Sequence, residues 1–326
     1  MAQQKPQKIF LAGHTGMVGS AFYRVLNEDP KIQIFTAGRS DCDLSNQSQV
    51  NQMFQSNNFD LVILAAAKVG GIYANNTFPG DFIYQNLMIQ TNVIHAAHLS
   101  NINNLLFLGS SCVYPKNSNQ PIRESSLLSG YLESTNEPYS VAKIAGIKLC
   151  ESYNRQYGRD YRSIMPTNLY GPNDNYHPQN SHVIPGLIER FHSAKEASLA
   201  NVKIWGSGKP KRDFMHVDDL VSAALLVMSI NNSKYQKLIQ PNCSHINISS
   251  GSEYTIAETA QFISDVIGFT GGIKFDDTKP DGTFRKKMSS SILDRLGWRP
   301  KIDLLTGLQN TYDNYIDEKL PSNKKN

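Results

Sequence analysis

The chain has 326 residues, 40% of them hydrophobic and 18% charged, with a formal net charge of +4. This length allows a full core and two lobes, and the small charge, without a lysine- or arginine-rich block, argues against a nucleic-acid partner. Four cysteines without metal-type spacing argue against a disulfide scaffold or a metal centre. Because no signal-peptide segment and no apolar run of membrane-spanning length is present, we expect a cytoplasmic protein without membrane contacts.

The predicted elements alternate between short apolar strands and helices along the chain. The strands are predicted at 8–12, 32–36, 61–66, 105–108, 162–166 and 245–249. The helices are predicted at 17–27, 47–56, 84–99, 139–157 and 217–229. Uninterrupted apolar strands separated by helices indicate a parallel sheet with both faces covered. The predicted fold class is therefore α/β, with a doubly wound sheet that gathers ligands at the carboxyl ends of its strands.

A glycine-rich loop, GHTGMVG, lies between the first predicted strand and the first helix. Glycines at three-residue intervals permit a tight turn, close packing of helix on sheet, and approach of a dinucleotide pyrophosphate to the helix N-terminus. A glycine-rich turn without a ligand is the alternative, which this placement disfavours. The cofactor contacts expected from the loop are Gly13, His14, Thr15, Gly16, Met17, Val18 and Gly19.

The end of the second predicted strand indicates which dinucleotide binds. An acidic residue there would bind the ribose hydroxyls of NAD, whereas an arginine suits the additional phosphate of NADP. Arg39 stands at this turn, and Asp43 follows within reach of the adenine amino group. Arg39 could also be a solvated loop residue, but a bidentate guanidinium–phosphate contact favours NADPH as the cofactor.

The composition changes after Tyr170, where GPNDNYHPQNSH is rich in proline, asparagine and histidine. Such a stretch indicates a loop that faces a ligand. The later helix at 217–229 and the strand at 245–249 return the chain to the first lobe. We therefore expect a Rossmann domain formed by residues 1–174 and 214–250, and a second, smaller α/β substrate domain formed by residues 175–213 and 251–326.

A candidate proton relay follows the fourth predicted strand, in GSSCVYP and in the YxxxK spacing of Tyr139 and Lys143. Four residues apart on a helix place both side chains on one face. A nearby ammonium, helped by an oxidised nicotinamide, is expected to lower the pKa of a phenol from its ordinary value near ~10. Either Ser110 or Ser111 can hydrogen-bond the substrate oxygen. The YxxxK spacing alone is common, but its order after a glycine loop and a strand-end serine is specific.

With these motifs the chain resembles the extended short-chain dehydrogenase/reductase family across essentially its full length. The similarity is dense in AAAKVGG, GSSCVYPK, TNEPYSVAKIAGIKLCESYNRQYG, PTNLYGPNDNYHPQNSHVIP, WGSG and RDFMHVDD. These segments are similar to family members that epimerise and reduce GDP-4-keto-6-deoxy-D-mannose. The family's dehydratases carry an acidic pair after the equivalent of Ser110, and no carboxylate follows it here.

The resemblance implies a role for each of several residues. Ser110, Tyr139 and Lys143 match the reduction triad, Cys112 the epimerisation base and His182 the epimerisation acid; a buried packing thiol is the alternative for Cys112. Contacts to the GDP-sugar are implied for Arg190, Trp205, Arg212 and Asp281. Further cofactor contacts are expected from Leu108, Gly109, Ser110, Ser111, Lys143, Pro166, Thr167, Asn168, Leu169 and His182. The family often has an arginine where this chain has Thr15, so Arg39 would carry the 2′-phosphate with less help.

The implied activity is NADPH-dependent 3,5-epimerisation followed by 4-keto reduction, which converts GDP-4-keto-6-deoxy-D-mannose to GDP-L-fucose. The resemblance also implies a homodimer formed through a four-helix face that includes the helix of Tyr139. One alternative is a nucleotide-sugar 4-epimerase that keeps NAD bound, against which Arg39 and Cys112 argue. Another is a non-catalytic dinucleotide-sensing protein, against which the complete serine, tyrosine and lysine set argues. No metal is expected, since His95 and His98 have no evident third ligand.

Overall fold

The structure, a computed structural model, describes residues 6–178, 180–279, 281 and 283–319. Its strands are β1 (Gln7–Ala12), β2 (Ile32–Phe35), β3 (Leu61–Leu64), β4 (Asn104–Leu108), β5 (Asp160–Pro166), β6 (Asn168–Tyr170), β7 (Asn201–Trp205), β8 (Lys211–Arg212), β9 (Phe214–His216), β10 (Ile246–Ile248), β11 (Tyr254–Thr255), β12 (Gly272–Asp276) and β13 (Arg285–Lys286). Its α-helices are α1 (Met17–Leu26), α2 (Gln47–Gln55), α3 (Ile72–Thr77), α4 (Pro79–Leu99), α5 (Glu137–Tyr157), α6 (Val183–Glu196), α7 (Val217–Ser229), α8 (Asn232–Gln236), α9 (Ile256–Ile267), α10 (Ser291–Arg295) and α11 (Leu304–Lys319). Short 3-10 turns lie at Ser111–Val113, Glu124–Ser126 and Ser134–Asn136.

The apolar strands of the first part of the chain form a six-stranded parallel sheet. Its order is β10-β5-β4-β3-β1-β2, and each neighbouring pair runs in parallel register. The chain winds outward from β1 to β2 on one side and from β3 to β10 on the other. The order therefore reverses beside β1, and the carboxyl end of that strand is where a doubly wound sheet forms its ligand crevice. The predicted doubly wound α/β fold is confirmed.

Both faces of this sheet are buried, which explains why its strands are continuously apolar. Side chains alternate between the faces along a strand. Phe10 faces a cluster that includes Phe54, Val93 and Phe107. Its neighbour Leu11 faces the opposite cluster, which includes the apolar residues of α1 and α7. Period-two alternation is thus hidden in the sequence, because both sets of positions are apolar.

The longest helices, α4 and α5, have 21 residues each and pack side by side on one face. The Gln90 side chain donates to the carbonyl of Ala142. A Cβ at Gly146 would lie 2.4 Å from the Phe107 ring, so α5 lies close against β4. This packing brings the first turns of α5 to the carboxyl end of β4. Within the described part of the chain, no helix is both long and apolar enough to cross a membrane.

A smaller layer packs its own core beside the sheet. Helices α6, α9 and α11 enclose apolar side chains, among them Ile188, Phe191, Ile263 and Leu308. Short sheets flank them, in the orders β11-β8-β13, β12-β7 and β6-β9. Residues 288–298 contribute instead to the clusters of the large sheet, although they fall within the predicted 251–326 segment. The division into two domains at the stated boundaries stays a prediction.

Candidate active site

The glycine loop forms a tight turn between β1 and α1. Gly13 has a φ of +88°, in the left-handed region that favours glycine. A Cβ at Gly13 would lie 2.6 Å from the Ala66 nitrogen, and one at Gly19 would lie 1.9 Å from the Gly13 oxygen. Gly16 is the N-cap of α1 and provides no side-chain cap. The first-turn N–H groups of α1 therefore lie at the carboxyl end of β1 without a side-chain cap, and a helix N-terminus of this kind can bind an anionic group.

Arg39 lies after β2 with 81% of its side chain exposed, and its Nε is 3.9 Å from Asp43 Oδ2. Asp43 accepts hydrogen bonds from the Ser45 hydroxyl at 2.7 Å and the Ser45 nitrogen at 2.9 Å. These hydrogen bonds lower the pKa of Asp43. The guanidinium makes this one long contact with Asp43 through Nε. Its remaining N–H donors can therefore bind a phosphate. His14 and Thr15 lie in the turn between β1 and α1, whereas Met17 and Val18 of α1 pack against the apolar cluster on one face of the sheet.

The turn after β4 carries the serines. From Leu108 the chain continues through Gly109, where a Cβ would lie 2.3 Å from the Met165 side chain, so the turn packs tightly on β5. Ser110 caps the 3-10 turn at Ser111–Val113 and accepts a hydrogen bond from the Cys112 nitrogen at 3.3 Å. Ser111, the first residue of this turn, is buried. Between the two serines that the motif left open, Ser110 is the one that meets Tyr139.

Tyr139 and Lys143 enter this turn from α5. The Tyr139 hydroxyl hydrogen-bonds Ser110 and lies near the Cys112 sulfur, and burial raises its pKa despite the Ser110 hydrogen bond. The Lys143 Nζ donates to the Leu108 carbonyl at 2.8 Å and lies 5.9 Å from the centre of the Tyr139 ring. Burial lowers the pKa of Lys143 to about 7. In the protein alone, burial outweighs the effect of Lys143, whose Nζ points to the Leu108 carbonyl. The lowered tyrosine pKa expected beside an oxidised nicotinamide stays a prediction.

Cys112 is half-buried, so the packing-thiol alternative is disfavoured. Two nitrogen donors approach its sulfur: Asn136 Nδ2 at 3.4 Å and Lys286 Nζ at 3.7 Å. Sequence reasoning missed both. Asn136 could have been noticed, since it lies three residues before Tyr139. Lys286 is 174 residues away, and no local pattern marks it.

His182 lies at the start of α6, in the loop that follows β6. It is the N-cap residue of α6, and the loop before it packs on the segment after β3. The Gly71 nitrogen donates to the Asn180 carbonyl at 2.9 Å, and a Cβ at Gly71 would lie 2.7 Å from the Ser181 oxygen. The surrounding protein desolvates the imidazole and lowers the pKa of His182. Delivery of a proton requires the imidazolium form, and a lowered pKa makes that imidazolium a stronger acid.

The predicted nicotinamide segment, 166–169, runs from Pro166 at the end of β5 to Leu169 in β6. The side chains of Thr167 and Asn168 both donate to the Asp213 carbonyl at 2.9 Å. The buried Asp213 carboxyl accepts from the hydroxyls of two serines that follow β10, at 2.5 Å each. Burial raises its pKa to about 6. Sequence reasoning missed Asp213, which braces this wall of the crevice.

The four predicted GDP-sugar residues all lie in the smaller layer. Arg212 donates to the Thr283 carbonyl at 2.6 Å, and its charge interacts with Cys112 and Asp281. Asp281 accepts from the Ser207 nitrogen and hydroxyl at 2.8 and 2.6 Å. Trp205, 66% exposed, ends β7 next to this loop. Arg190 lies on α6 and donates to the Lys203 carbonyl at 3.0 Å. Arg212 thus joins the smaller layer to the relay.

A metal has no evident place in this arrangement. Within the described ranges, no three histidine, cysteine, aspartate or glutamate side chains converge to hold an ion. His95 and His98 instead stack with aromatic rings of α5: His95 Nδ1 is 2.6 Å from the Tyr153 hydroxyl, and the His98 and Tyr157 rings are 4.3 Å apart.

A doubly wound sheet with a glycine loop at the switch point and a serine, tyrosine and lysine group at the end of β4 defines a nicotinamide-dependent oxidoreductase of the short-chain type. Residues 9–242 match the NAD dependent epimerase/dehydratase family. The chain belongs to this family, the extended branch of the short-chain dehydrogenases/reductases, and the resemblance seen in the motifs is confirmed.

Relatives of known name cover almost the whole chain. A GDP-L-fucose synthase from Escherichia coli is 54% identical, over 95% of this chain and 97% of the relative. GDP-L-fucose synthase 1 from Arabidopsis thaliana is 53% identical, over 96% of this chain and 94% of the relative. Among solved structures, a GDP-mannoheptose C4 reductase from Campylobacter jejuni with NADP bound is 37% identical, with a TM-score of 0.87 over 97% of this chain and 100% of that one.

Proposed function

We propose that this protein is an NADPH-dependent enzyme that converts GDP-4-keto-6-deoxy-D-mannose to GDP-L-fucose by 3,5-epimerisation and 4-keto reduction. The observation that carries the proposal is the presence of the Cys112 sulfur beside the Ser110–Tyr139 pair. A proton acceptor and a group that protonates a ketone oxygen then serve one pocket. The names of the most similar relatives agree with this activity.

The residues of the crevice fit a bound NADP. Glycine at positions 13 and 19 leaves no side chain where the turn meets the sheet, and the uncapped first turn of α1 suits the pyrophosphate. Arg39 would bind the 2′-phosphate and Lys143 the nicotinamide ribose, while residues 166–169 would line the ring. When bound, the reduced cofactor supplies the hydride that reduces the ketone carbon. Thr15 adds no charge to this site, so the preference for NADPH would depend on Arg39.

Epimerisation begins with the acidity of the sugar. The ketone at carbon 4 acidifies the hydrogens on both neighbouring carbons, because the carbanion delocalises into an enolate. Ser110 and Tyr139 would stabilise the enolate oxygen by hydrogen bonds. Cys112 would remove the proton from one face of the ring, and His182 would deliver one to the other face. Two such inversions change the D-manno ring toward the L-galacto configuration.

Reduction would use the same oxygen. Negative charge develops on it again as the ketone is reduced, and Tyr139 would donate its proton there. The raised pKa of Tyr139 suits a donor that stays protonated until this step. Lys143, whose pKa lies at about 7, can pass a proton toward the phenol near neutral pH. One pocket can therefore serve both reactions.

Substrate binding would be mostly electrostatic at the nucleotide end. Arg190 and Arg212 offer guanidinium groups that match a diphosphate. Burial lowers the pKa of both groups, and an incoming diphosphate would compensate for that desolvation. Trp205 and Asp281 would complete the contact with the GDP-sugar. A working thiol at Cys112 fits a reducing cytoplasm, which we propose as the location.

The deciding experiment mixes the protein with GDP-4-keto-6-deoxy-D-mannose and NADPH in heavy water. We expect loss of nicotinamide absorbance and deuterium at both carbons that flank the ketone. Oxidation of the cofactor without deuterium would instead indicate a plain 4-keto reductase. If the cofactor is not oxidised, the substrate assignment is wrong, while the family assignment still holds.

A further inference from the structure

The sulfur of Cys112 is held between two parts of the chain that are distant in sequence. Asn136, at the start of α5, donates from Nδ2 over 3.4 Å. Lys286, in β13 of the smaller layer, approaches with Nζ at 3.7 Å. The turn that carries Cys112 is itself fixed by a hydrogen bond from the Cys112 nitrogen to the Ser110 hydroxyl. Both outside contacts come from nitrogen groups.

The orientation of the Asn136 amide follows from its other hydrogen bonds. The Ser140 hydroxyl is 3.0 Å from the Asn136 carbonyl and 3.4 Å from Oδ1. This hydroxyl can donate to Oδ1, which leaves Nδ2 to face the sulfur. An amide nitrogen and an ammonium can only donate hydrogen bonds. A sulfur that meets two such donors is best matched as an anion, since a thiolate accepts hydrogen bonds more strongly than a thiol.

The position of Lys286 in β13 explains why this residue reaches Cys112 while its two neighbours in the chain do not. Side chains alternate along a strand, and its neighbours Arg285 and Lys287 turn instead to Glu253, at 2.5 and 3.7 Å. Strand β13 pairs with β8 so that Lys286 lies beside Arg212. The charged and titratable groups that face Cys112 are therefore Tyr139 from α5, Arg212 from β8 and Lys286 from β13.

We propose that Asn136 and Lys286 are positioning residues that hold Cys112 as a thiolate. The role in epimerisation rests on the proposed function. The sulfur takes a proton from the carbon next to the ketone, so a C–H bond breaks, an S–H bond forms, and the electron pair moves to the ketone oxygen. His182 then gives a proton to the opposite face of the carbon. Solvent restores both groups to their starting protonation states.

The first test needs no sugar. The rate at which iodoacetamide alkylates Cys112 is measured by peptide mass spectrometry between pH 5.5 and 10, in the full-length protein with NADP. An ammonium close to the sulfur favours the ionised thiolate, which is the form that reacts with iodoacetamide, so we expect Lys286→Met to react about tenfold more slowly at pH 7. The rates should converge at high pH. Lys286→Arg should recover most of the loss, and Asn136→Ala should show a smaller one.

The matched control is Lys287→Met, which removes an equal charge from the next position while its side chain faces Glu253. Its alkylation profile should match that of the parent protein. Alkylation at Cys243, half-buried elsewhere in the chain, serves as an internal reference. If Lys286→Met reacts at the parental rate, or is slower by one factor at every pH, the proposal fails, because the second pattern reports access alone.

A second measurement separates this proposal from the proposed function. Deuterium uptake by GDP-4-keto-6-deoxy-D-mannose should slow in Lys286→Met by the same factor as alkylation at pH 7. A changed alkylation profile together with no deuterium uptake, even in the parent protein, would support the role of Lys286 in holding the thiolate and would contradict the proposed substrate. Deuterium uptake at the parental rate in Lys286→Met would contradict the role of Lys286 in holding the thiolate and would leave the proposed substrate intact.

Discussion

The acid–base behaviour of the candidate site follows from burial more than from its charges. Tyr139 lies against Cys112 and Ser110, and its pKa is raised because a phenolate would be desolvated there. Lys143 loses hydration for the same reason, so its pKa falls to about 7. The two shifts move the pKa values apart, so the phenol holds its proton more firmly while the lysine releases its proton more readily. A buried donor and a nearly neutral lysine form a short path for one proton.

Replacing Tyr139 tests this path. Tyr139→Phe keeps the ring and removes the hydroxyl, so NADPH oxidation with the keto sugar should fall by about 10²–10⁴-fold, the usual contribution of general acid catalysis. Binding of NADP, followed by fluorescence quenching, should change little. Tyr131→Phe is the matched control, because Tyr131 is 94% exposed. Unchanged turnover in Tyr139→Phe would remove the tyrosine from the mechanism.

Replacing Cys112 should separate the two reactions. Cys112→Ala leaves Ser110, Tyr139 and Lys143 in place, so the ketone can still be reduced while neither neighbouring carbon exchanges its proton. Deuterium uptake should fall by about 10²–10⁴-fold, and the product should be the unepimerised 4-hydroxy sugar, identified by NMR. Cys243→Ala is the control, because burial raises the pKa of that thiol to about 11 and makes it a poor base. Full deuterium uptake in Cys112→Ala would assign epimerisation to another group.

Local motifs predicted part of the site and missed the rest for a physical reason. Ser110, Tyr139 and Lys143 could be predicted because their positions depend on local structure. The YxxxK spacing places two side chains on one face of a single helix, and the serine stands in the turn that ends a single strand. Lys286 and Asp213 reach the site through pairing of strands far apart in the chain. No spacing within either segment encodes that pairing.

Among the elements, those of the doubly wound sheet were predicted closely because each has a strong local signal. The helix predicted at 217–229 has the observed bounds, and the strand predicted at 8–12 begins one residue early, at Gln7. The two- and three-residue strands β6, β8, β9, β11 and β13 were not predicted. Strands that short have no measurable period, and their existence depends on partners in the smaller layer.

The contact between α1 and β1 should be intolerant of a single methyl group. In Gly19→Ala the Cβ would lie 1.9 Å from a backbone oxygen, which cannot move without the turn. We expect a loss of about 3 kcal/mol in the free energy of unfolding and a matching loss of NADP affinity. Gly80→Ala is the control: nothing lies within 4 Å of its Cβ, and it should stabilise by about 0.5 kcal/mol. Urea titration measures both, and equal stability of the two variants would contradict the packing described.

The buried carboxyl behind β6 should make stability depend on pH. Burial raises the pKa of Asp213 to about 6, above an unfolded value of about 3.9. The folded state therefore binds this proton more tightly, and the stabilisation is complete below the unfolded pKa and is lost as the pH rises through about 6. Relative to Asp213→Asn, the parent protein should lose about 2 kcal/mol of unfolding free energy between pH 4 and 7. Parallel pH profiles for the two proteins would show that Asp213 does not titrate in this range.

At the scale of the whole molecule, the candidate site forms where the second half of the chain packs against the sheet built mainly by the first half. The first 170 residues supply the crevice and the relay, and the smaller layer then brings Arg212, Asp281 and Lys286 to the same edge of the sheet. The sequence suggested a second lobe from a change in composition. It could not indicate that β13 would pair beside Arg212, because that register depends on packing across both layers.

The assembly of the molecule is the remaining prediction at this scale. Helices α4 and α5 pack together and leave apolar side chains, including Tyr84 and Val141, exposed on their outer face. The resemblance to the family implies a homodimer in which this face meets its copy. Val141→Glu would then bury an unpaired carboxylate, which is strongly destabilising, so the mass from light scattering should fall from twice 36.4 kDa to 36.4 kDa. Leu305→Glu, at an exposed position on α11, should leave the mass unchanged. A dimer that survives Val141→Glu and dissociates in Leu305→Glu would move the interface to the smaller layer, and a monomeric parent protein would reject the dimer itself.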